Sequence, residues 1–106
     1  MKRYIRTSTR SSASRYVYEL CDKMDWRYPT FKDKVKDGYK CKWGGRSYVG
    51  HCLQDLIEDG GSTDDLDKLR EQAWKVAEAD VAEARKLTGI DCYLNKNGYL
   101  VVPFAD

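Results

Sequence analysis

The chain has 106 residues, of which 42% are hydrophobic and 34% charged, a composition that fits one compact domain and excludes a disordered protein. Residues 1–50 carry 13 Lys and Arg against 5 Asp and Glu, whereas residues 51–106 carry 6 against 12, so the net charge of +2 conceals a basic half and an acidic half. No apolar run approaches the roughly 18 residues of a membrane helix, and no hydrophobic segment typical of a secretory signal follows the first residues. We therefore expect a cytoplasmic protein without a membrane partner.

The N-terminal stretch, residues 1–12, carries Lys and Arg among Ser and Thr, which predicts a flexible basic arm ahead of a single compact domain over residues 13–106. Ser14 is the predicted N-cap of a helix over about residues 15–25, in which apolar side chains recur at helical spacing. Pro29 disfavours helical geometry at the residue before it and ends that helix.

A short helix, Phe31 to Lys36, is predicted next, with Thr30 as its cap and Gly38 at its end. The following stretch, residues 39–43, alternates apolar and basic side chains. This period of two predicts a half-buried strand whose Tyr39, Cys41 and Trp43 face the core, with lysines on the other face.

Gly44-Gly45 leaves two interpretations open: a two-residue hairpin, or a loop before a helix capped by Ser47. We favour the helix, over about residues 48–59, because its apolar side chains share one face and Gly60-Gly61 follows.

The strongest predicted element is a long helix that opens at the hydroxyl and acidic residues 62–65, runs to about Thr88 and has Gly89 as its C-cap. Asp80 lies inside its apolar stripe, and we expect a hydrogen bond to a Tyr hydroxyl or a basic side chain there. The predicted core stripe consists of Leu66, Leu69, Ala73, Val76, Ala77, Ala84 and Leu87.

Two short apolar runs, residues 91–94 and 99–102, flank Asn97-Gly98, a strong signal for a C-terminal β-hairpin. The predicted fold class is therefore α+β, with three or four helices packed on a small antiparallel sheet.

The sequence offers little for catalysis. Cys21, Cys41, Cys52 and Cys92 are too far apart for the close ligand pairs of structural zinc sites, so we expect reduced, buried thiols. The single histidine, His51, falls on the polar helix face near Asp55. No phosphate-binding loop, dinucleotide fingerprint or nucleophile elbow is present. We therefore expect no enzyme activity, no cofactor, no metal and no small-molecule substrate.

The candidate site is a binding surface with two parts. Basic and aromatic side chains between residues 26 and 46 are suited to phosphates, to stacked bases or to a protein partner. Outward lysines are also the means by which edge strands avoid pairing with other chains. The acidic residues around the predicted helix junction suit a basic protein surface. The candidate partner-binding residues are Trp26, Arg27, Tyr28, Lys32, Lys34, Lys36, Lys40, Lys42, Arg46, Asp55, Glu58, Asp59, Asp64, Asp65 and Asp67.

The opening MKRYIRTS, the short length, the eight Tyr and three Trp, and the absence of catalytic motifs resemble the small accessory proteins of phages and integrative elements in Firmicutes. Some proteins of that kind are anti-CRISPR proteins, which bind a CRISPR effector nuclease and block it. The resemblance implies an inhibitor that acts by protein–protein contacts on a nucleic-acid-handling enzyme. The alternative is a small DNA- or RNA-binding protein that uses its basic, aromatic N-terminal half.

Overall fold

Three helices and a four-stranded antiparallel sheet form the fold, which confirms the predicted α+β class and its C-terminal strand pair. The computed structural model describes residues 12–61 and 64–104. The strands lie in the order β1-β2-β4-β3. The elements are α1 (Ser12–Met24), β1 (Thr30–Val35), β2 (Gly38–Lys42), α2 (Tyr48–Glu58), α3 (Leu66–Thr88), β3 (Tyr93–Leu94) and β4 (Leu100–Pro103). Within the described ranges, no helix is both long and apolar enough to cross a bilayer.

The predicted start of the first helix is wrong. Ser14 lies inside α1, which is already helical at Ser12, so it is not the N-cap. The predicted arm lies outside the described residues except for Ser12. At its other end α1 stops at Met24, and Asp25 adopts a left-handed backbone conformation with φ of 58°.

The predicted short helix between Phe31 and Lys36 is also wrong, because this segment forms strand β1. Its half-buried and exposed residues alternate with the period of a strand, and it pairs antiparallel with β2. Gly38 begins β2 instead of ending a helix. A Cβ at Gly38 would lie 2.3 Å from the Val102 carbonyl oxygen, so β4 approaches too closely for a larger residue. Tertiary pairing thus outweighs the weak local helix signal.

The predicted strand over residues 39–43 is confirmed as β2, followed by an isolated bridge at Trp43. It is an interior strand, paired with β1 on one side and β4 on the other. Cys41 and Trp43 are buried, as the alternation predicts. The lysines therefore do not protect an edge strand here.

The helix interpretation of Gly44-Gly45 is confirmed, and the hairpin into a second strand is not, because the turn makes one isolated bridge before α2 begins. The two glycines have φ of 57° and 80° and form a tight turn in which Trp43 and Arg46 exchange both backbone hydrogen bonds, each of 3.0 Å. Ser47 then caps α2, its hydroxyl accepting a 3.0 Å hydrogen bond from the Gly50 N–H. The predicted second helix is confirmed.

The long helix α3 is confirmed, but its ends and its core face differ in detail. Asp65 is the N-cap and accepts a 3.1 Å hydrogen bond from the Lys68 N–H, while Ser62 and Thr63 lie outside the described residues. Gly89 is the C-cap in the left-handed conformation, as predicted.

The predicted core stripe of α3 is partly wrong. Leu66, Val76 and Leu87 are 42%, 38% and 47% exposed, whereas Val81 and Thr88 are buried in their place. The buried face is narrow and is built largely from alanine, which lets the other helices approach α3 closely. The larger apolar side chains at the margin of that face stay partly in water. Leu69, Ala73, Ala77 and Ala84 are buried, as predicted.

One core joins the helices to one face of the sheet. Buried side chains of α1, α2 and α3 pack with Cys41 of β2 and with Leu100 and Val102 of β4. All four cysteines are buried and unpaired, which confirms the expected reduced thiols. At the C-terminal hairpin, Asn95 accepts 3.0 Å hydrogen bonds from the N–H groups of Asn97 and Tyr99 and fixes the turn.

Candidate functional site

The two lysines of β2 share one carboxylate, which balances one of their two positive charges. Asp33 of β1 is the register partner of Lys40, and its carboxylate lies 3.4 Å from the Lys40 Nζ and 2.9 Å from the Lys42 Nζ. The hydrogen bond from Lys42 lowers the pKa of Asp33, and the same contact raises the pKa of Lys42. These two lysines are therefore poorly placed to bind phosphates.

Lys34 does not share a face of the sheet with Lys40. Lys34 is paired with Tyr39, which places it on the opposite face of the sheet from Lys40, and its Nζ lies 5.9 Å from the Tyr39 ring centroid. The Nζ of Lys40 lies 4.6 Å from the centroid of the Tyr99 ring. The other basic candidates are exposed and make no ion pair within the described part of the chain. They are Arg27, Lys32, Lys36 and Arg46.

Aromatic rings from three segments meet beside α2. Trp26 follows α1, Trp43 directly follows β2 and Tyr48 opens α2, and their ring centroids lie 4.9 to 6.1 Å apart. The Trp26 N–H donates to the Cys21 carbonyl at 2.9 Å, and the Trp43 Nε1–H donates to the Arg27 carbonyl at 3.0 Å. The first bond ties the connection between α1 and β1 to the end of α1, and the second ties it to Trp43.

Tyr48 links this aromatic cluster to α3. Its hydroxyl donates a 2.7 Å hydrogen bond to Oδ2 of Asp80, which confirms the expected Tyr partner for that carboxylate. Burial of the phenol, followed by the Asp80 contact, raises the pKa of Tyr48. The hydroxyl is therefore a fixed hydrogen-bond donor and not an acid for catalysis at neutral pH.

A cavity of about 330 Å³ opens between α2, α3 and Trp26. Its aromatic wall is formed by Trp26, Tyr48 and His51, and its acidic wall by Asp55, Asp59 and Asp80. We call this cavity, defined by those six residues, the aromatic–acidic groove. Cys52, Leu56 and Val76 complete its lining.

The groove carries uncompensated negative charge. Nε2 of His51 lies 3.5 Å from Oδ2 of Asp55. The His51 ring also stacks on the Trp43 ring, with 6.2 Å between the ring centroids. Among the residues that the structure describes, neither Asp59 nor Asp80 has a Lys or Arg within ion-pairing distance. The groove is therefore suited to a cation from outside the chain.

The other acidic candidates lie along the connection between α2 and α3. Glu58 accepts a 3.1 Å hydrogen bond from Gln54, and Asp67 lies 3.4 Å from Arg70. Asp64 and Asp65 are exposed just ahead of α3. None of these four carboxylates lines the groove itself. Of the basic and aromatic candidates, only Trp26 enters the groove; Tyr28 is 51% exposed, and its hydroxyl donates to Asp22.

The four buried thiols have raised pKa values. Burial, followed by the charge of Asp80, raises the pKa of Cys52 to about 12, and burial likewise raises the pKa of Cys41 to about 12. Both are protonated at neutral pH. Within residues 12–61 and 64–104, no three His, Cys, Asp or Glu side chains are arranged to hold a metal ion.

Three residues of the groove were not predicted as binding residues: Tyr48, His51 and Asp80. The sequence carried one signal for them, the acid inside the apolar stripe of α3. No protein-family model matches the chain, and searches of curated proteins and of solved structures find no significant match.

Proposed function

We propose that this chain is a non-enzymatic binding protein that inhibits a cytoplasmic nucleic-acid-handling enzyme through protein–protein contacts. In its most specific form, the proposal is that the chain is an anti-CRISPR protein that blocks a CRISPR effector nuclease. The observation that carries the proposal is the aromatic–acidic groove, in which carboxylates without Lys or Arg partners among the described residues stand beside the half-buried Trp26 ring. No cofactor is required.

Enzymes that act on DNA or RNA bind the phosphate backbone with Lys and Arg. A protein that presents carboxylates competes for those side chains, and aromatic rings add contact area at low entropic cost. The groove and the acidic junction provide both kinds of group on adjoining elements, α2 and α3. This combination favours a basic protein surface as the partner.

Direct binding of DNA or RNA is the second candidate function. The exposed Lys32 and Lys36 favour it, since neither has an ion-pair partner among the described residues. Two observations weigh against it. The Asp33 carboxylate pairs with Lys40 and Lys42 and competes with phosphates for them. The carboxylates of the groove would repel phosphates.

The proposal is tested by DNA cleavage with a panel of guide-loaded CRISPR effector nucleases, with and without the protein in excess. We expect the protein to abolish cleavage by at least one nuclease and to co-elute with it. The variant Lys32→Glu/Lys36→Glu should inhibit as well as wild type, because these lysines lie away from the groove. If that folded variant loses inhibition while the groove variants described below keep it, the basic side of the sheet carries the function. If no nuclease of the panel is inhibited or bound, the anti-CRISPR form of the proposal is wrong.

A further inference from the structure

We infer that the aromatic–acidic groove binds the guanidinium group of an arginine side chain on the partner. This inference rests on the proposed function and specifies the chemical group that the surface recognises. Charge complementarity selects a cation, because Asp59 and Asp80 have no ion-pair partner within the described residues and Asp55 has only His51. The size of the groove, about 330 Å³, suits one long side chain and not a folded segment.

The lining of the groove, which places aromatic rings beside carboxylates, favours arginine over lysine. A guanidinium is planar, stacks on aromatic faces and donates several hydrogen bonds in one plane, whereas an ammonium is a compact, strongly hydrated point charge. Trp26 and Tyr48, whose centroids lie 5.2 Å apart, border the same cavity as the carboxylates. Tyr48 is buried, so the half-buried Trp26 is the ring on which a guanidinium can stack while it binds a carboxylate.

The apolar part of the groove lining suits the methylene groups of an arginine side chain. Val76 is 38% exposed at the margin of the groove, and Leu56 is half-buried beside it. Methylene stems of long cationic side chains cover apolar surface of this kind while the charged group makes polar contacts. This explains why Val76, which the sequence predicted for the core, faces the groove instead.

The position of Tyr48 prepares the groove for a cation. Its hydroxyl donates to Oδ2 of Asp80 and so fixes the orientation of that carboxylate. A carboxylate held in place by one donor retains acceptor capacity for a second, which an arginine N–H can use. The carboxylate is thus oriented by a neutral donor and not paired with a cation of the described residues.

The experiment uses three synthetic peptides, acetyl-(Gly-Arg)4-amide and its lysine and citrulline counterparts, titrated into the 15N-labelled full chain. Citrulline keeps the shape of arginine and removes the charge. Binding is followed by amide and indole NMR shifts. We expect the arginine peptide to bind about fivefold more tightly than the lysine peptide, the citrulline peptide not to bind, and the Trp26 indole signal to shift.

The groove variant is Asp55→Asn/Asp59→Asn, which leaves the Tyr48–Asp80 hydrogen bond intact. The matched control is Glu71→Gln/Glu78→Gln, which makes the same change in net charge at exposed positions about half a turn around α3 from Asp80. We expect the groove variant to weaken binding of the arginine peptide about tenfold and the control about twofold at most. Thermal unfolding of each variant confirms that it is folded.

Two results would overturn the inference. Equal affinity for arginine and lysine peptides, with equal losses in the groove and control variants, would show diffuse charge attraction without a guanidinium site. No shift with any peptide would show that the groove holds no cation. Either result leaves the inhibitor proposal intact, since nuclease cleavage tests that separately. Conversely, arginine binding without inhibition of any nuclease would support the groove and count against the inhibitor.

Discussion

The hydrogen bond between Tyr48 and Asp80 connects the aromatic cluster to α3, and Tyr48→Phe removes it without removing the ring. The bond is 2.7 Å long, has a carboxylate acceptor and is partly buried. Hydrogen bonds to charged groups contribute about 1.5–3 kcal/mol to stability when they are buried. Asp80 is only half-buried, so water will replace part of the lost bond. We therefore expect Tyr48→Phe to lower the free energy of unfolding by about 1.5 kcal/mol.

The assay is urea denaturation followed by Trp fluorescence and circular dichroism. A loss of about 1.5 kcal/mol corresponds to a fall in Tm of about 6–12 °C for a domain of this size. Tyr93→Phe is the matched control, since the Tyr93 hydroxyl has no hydrogen-bond partner within the described residues and its loss should change stability by less than about 0.5 kcal/mol.

A double-mutant cycle that combines Tyr48→Phe with Asp80→Asn measures the interaction energy between these two side chains. Coupling of at least about 0.5 kcal/mol between the two substitutions is expected for residues in direct contact. The reasoning is refuted if Tyr48→Phe is no more destabilising than Tyr93→Phe, or if the two substitutions at the pair are simply additive.

Three further predictions concern other parts of the fold. The pKa of Asp33 is lowered in the folded protein, so its ion pairs stabilise the fold fully above the ordinary pKa of 3.8, and this stabilisation is lost as the pH falls through the folded pKa. The difference in unfolding free energy between wild type and Asp33→Asn should therefore shrink in acid. Urea titrations at several pH values measure that difference. Gly98→Ala should destabilise by about 1–3 kcal/mol more than Gly45→Ala in chemical denaturation, because both have φ near +80° but only the Cβ at Gly98 would meet Val49, at 2.8 Å. The four buried cysteines should react with a thiol reagent at pH 8 only after unfolding, and rapid labelling of any of them in the native protein would contradict their burial.

Patterns with strong local chemistry were predictable from the sequence. The Asn-Gly turn, the cap at Ser47 and the C-cap at Gly89 each depend on a few neighbouring residues, and the structure confirms them. The alternation in β2 likewise reports its buried face directly. The partner of Asp80 was predictable as a class because a carboxylate inside an apolar stripe requires a hydrogen-bond donor.

What depends on distant contacts was not predictable. The segment from Thr30 to Val35 becomes a strand because β2 lies beside it, and no local signal shows that pairing. The pairing also brings Asp33 to Lys40 and Lys42, which lowers the net charge of the predicted basic face by one. The groove assembles from Trp26, the start of α2 and the middle of α3, which are remote in sequence and meet only in the folded chain.

The central claim is that this chain binds a basic protein surface and not nucleic acid. The most direct test is fluorescence anisotropy of labelled single- and double-stranded DNA and RNA with the wild-type protein at about 50 and 200 mM salt, a range over which phosphate-driven binding changes by orders of magnitude. The account predicts no tight binding to any of the four at either salt concentration. Tight binding at the lower concentration that collapses at the higher would contradict it and assign the function to the basic half.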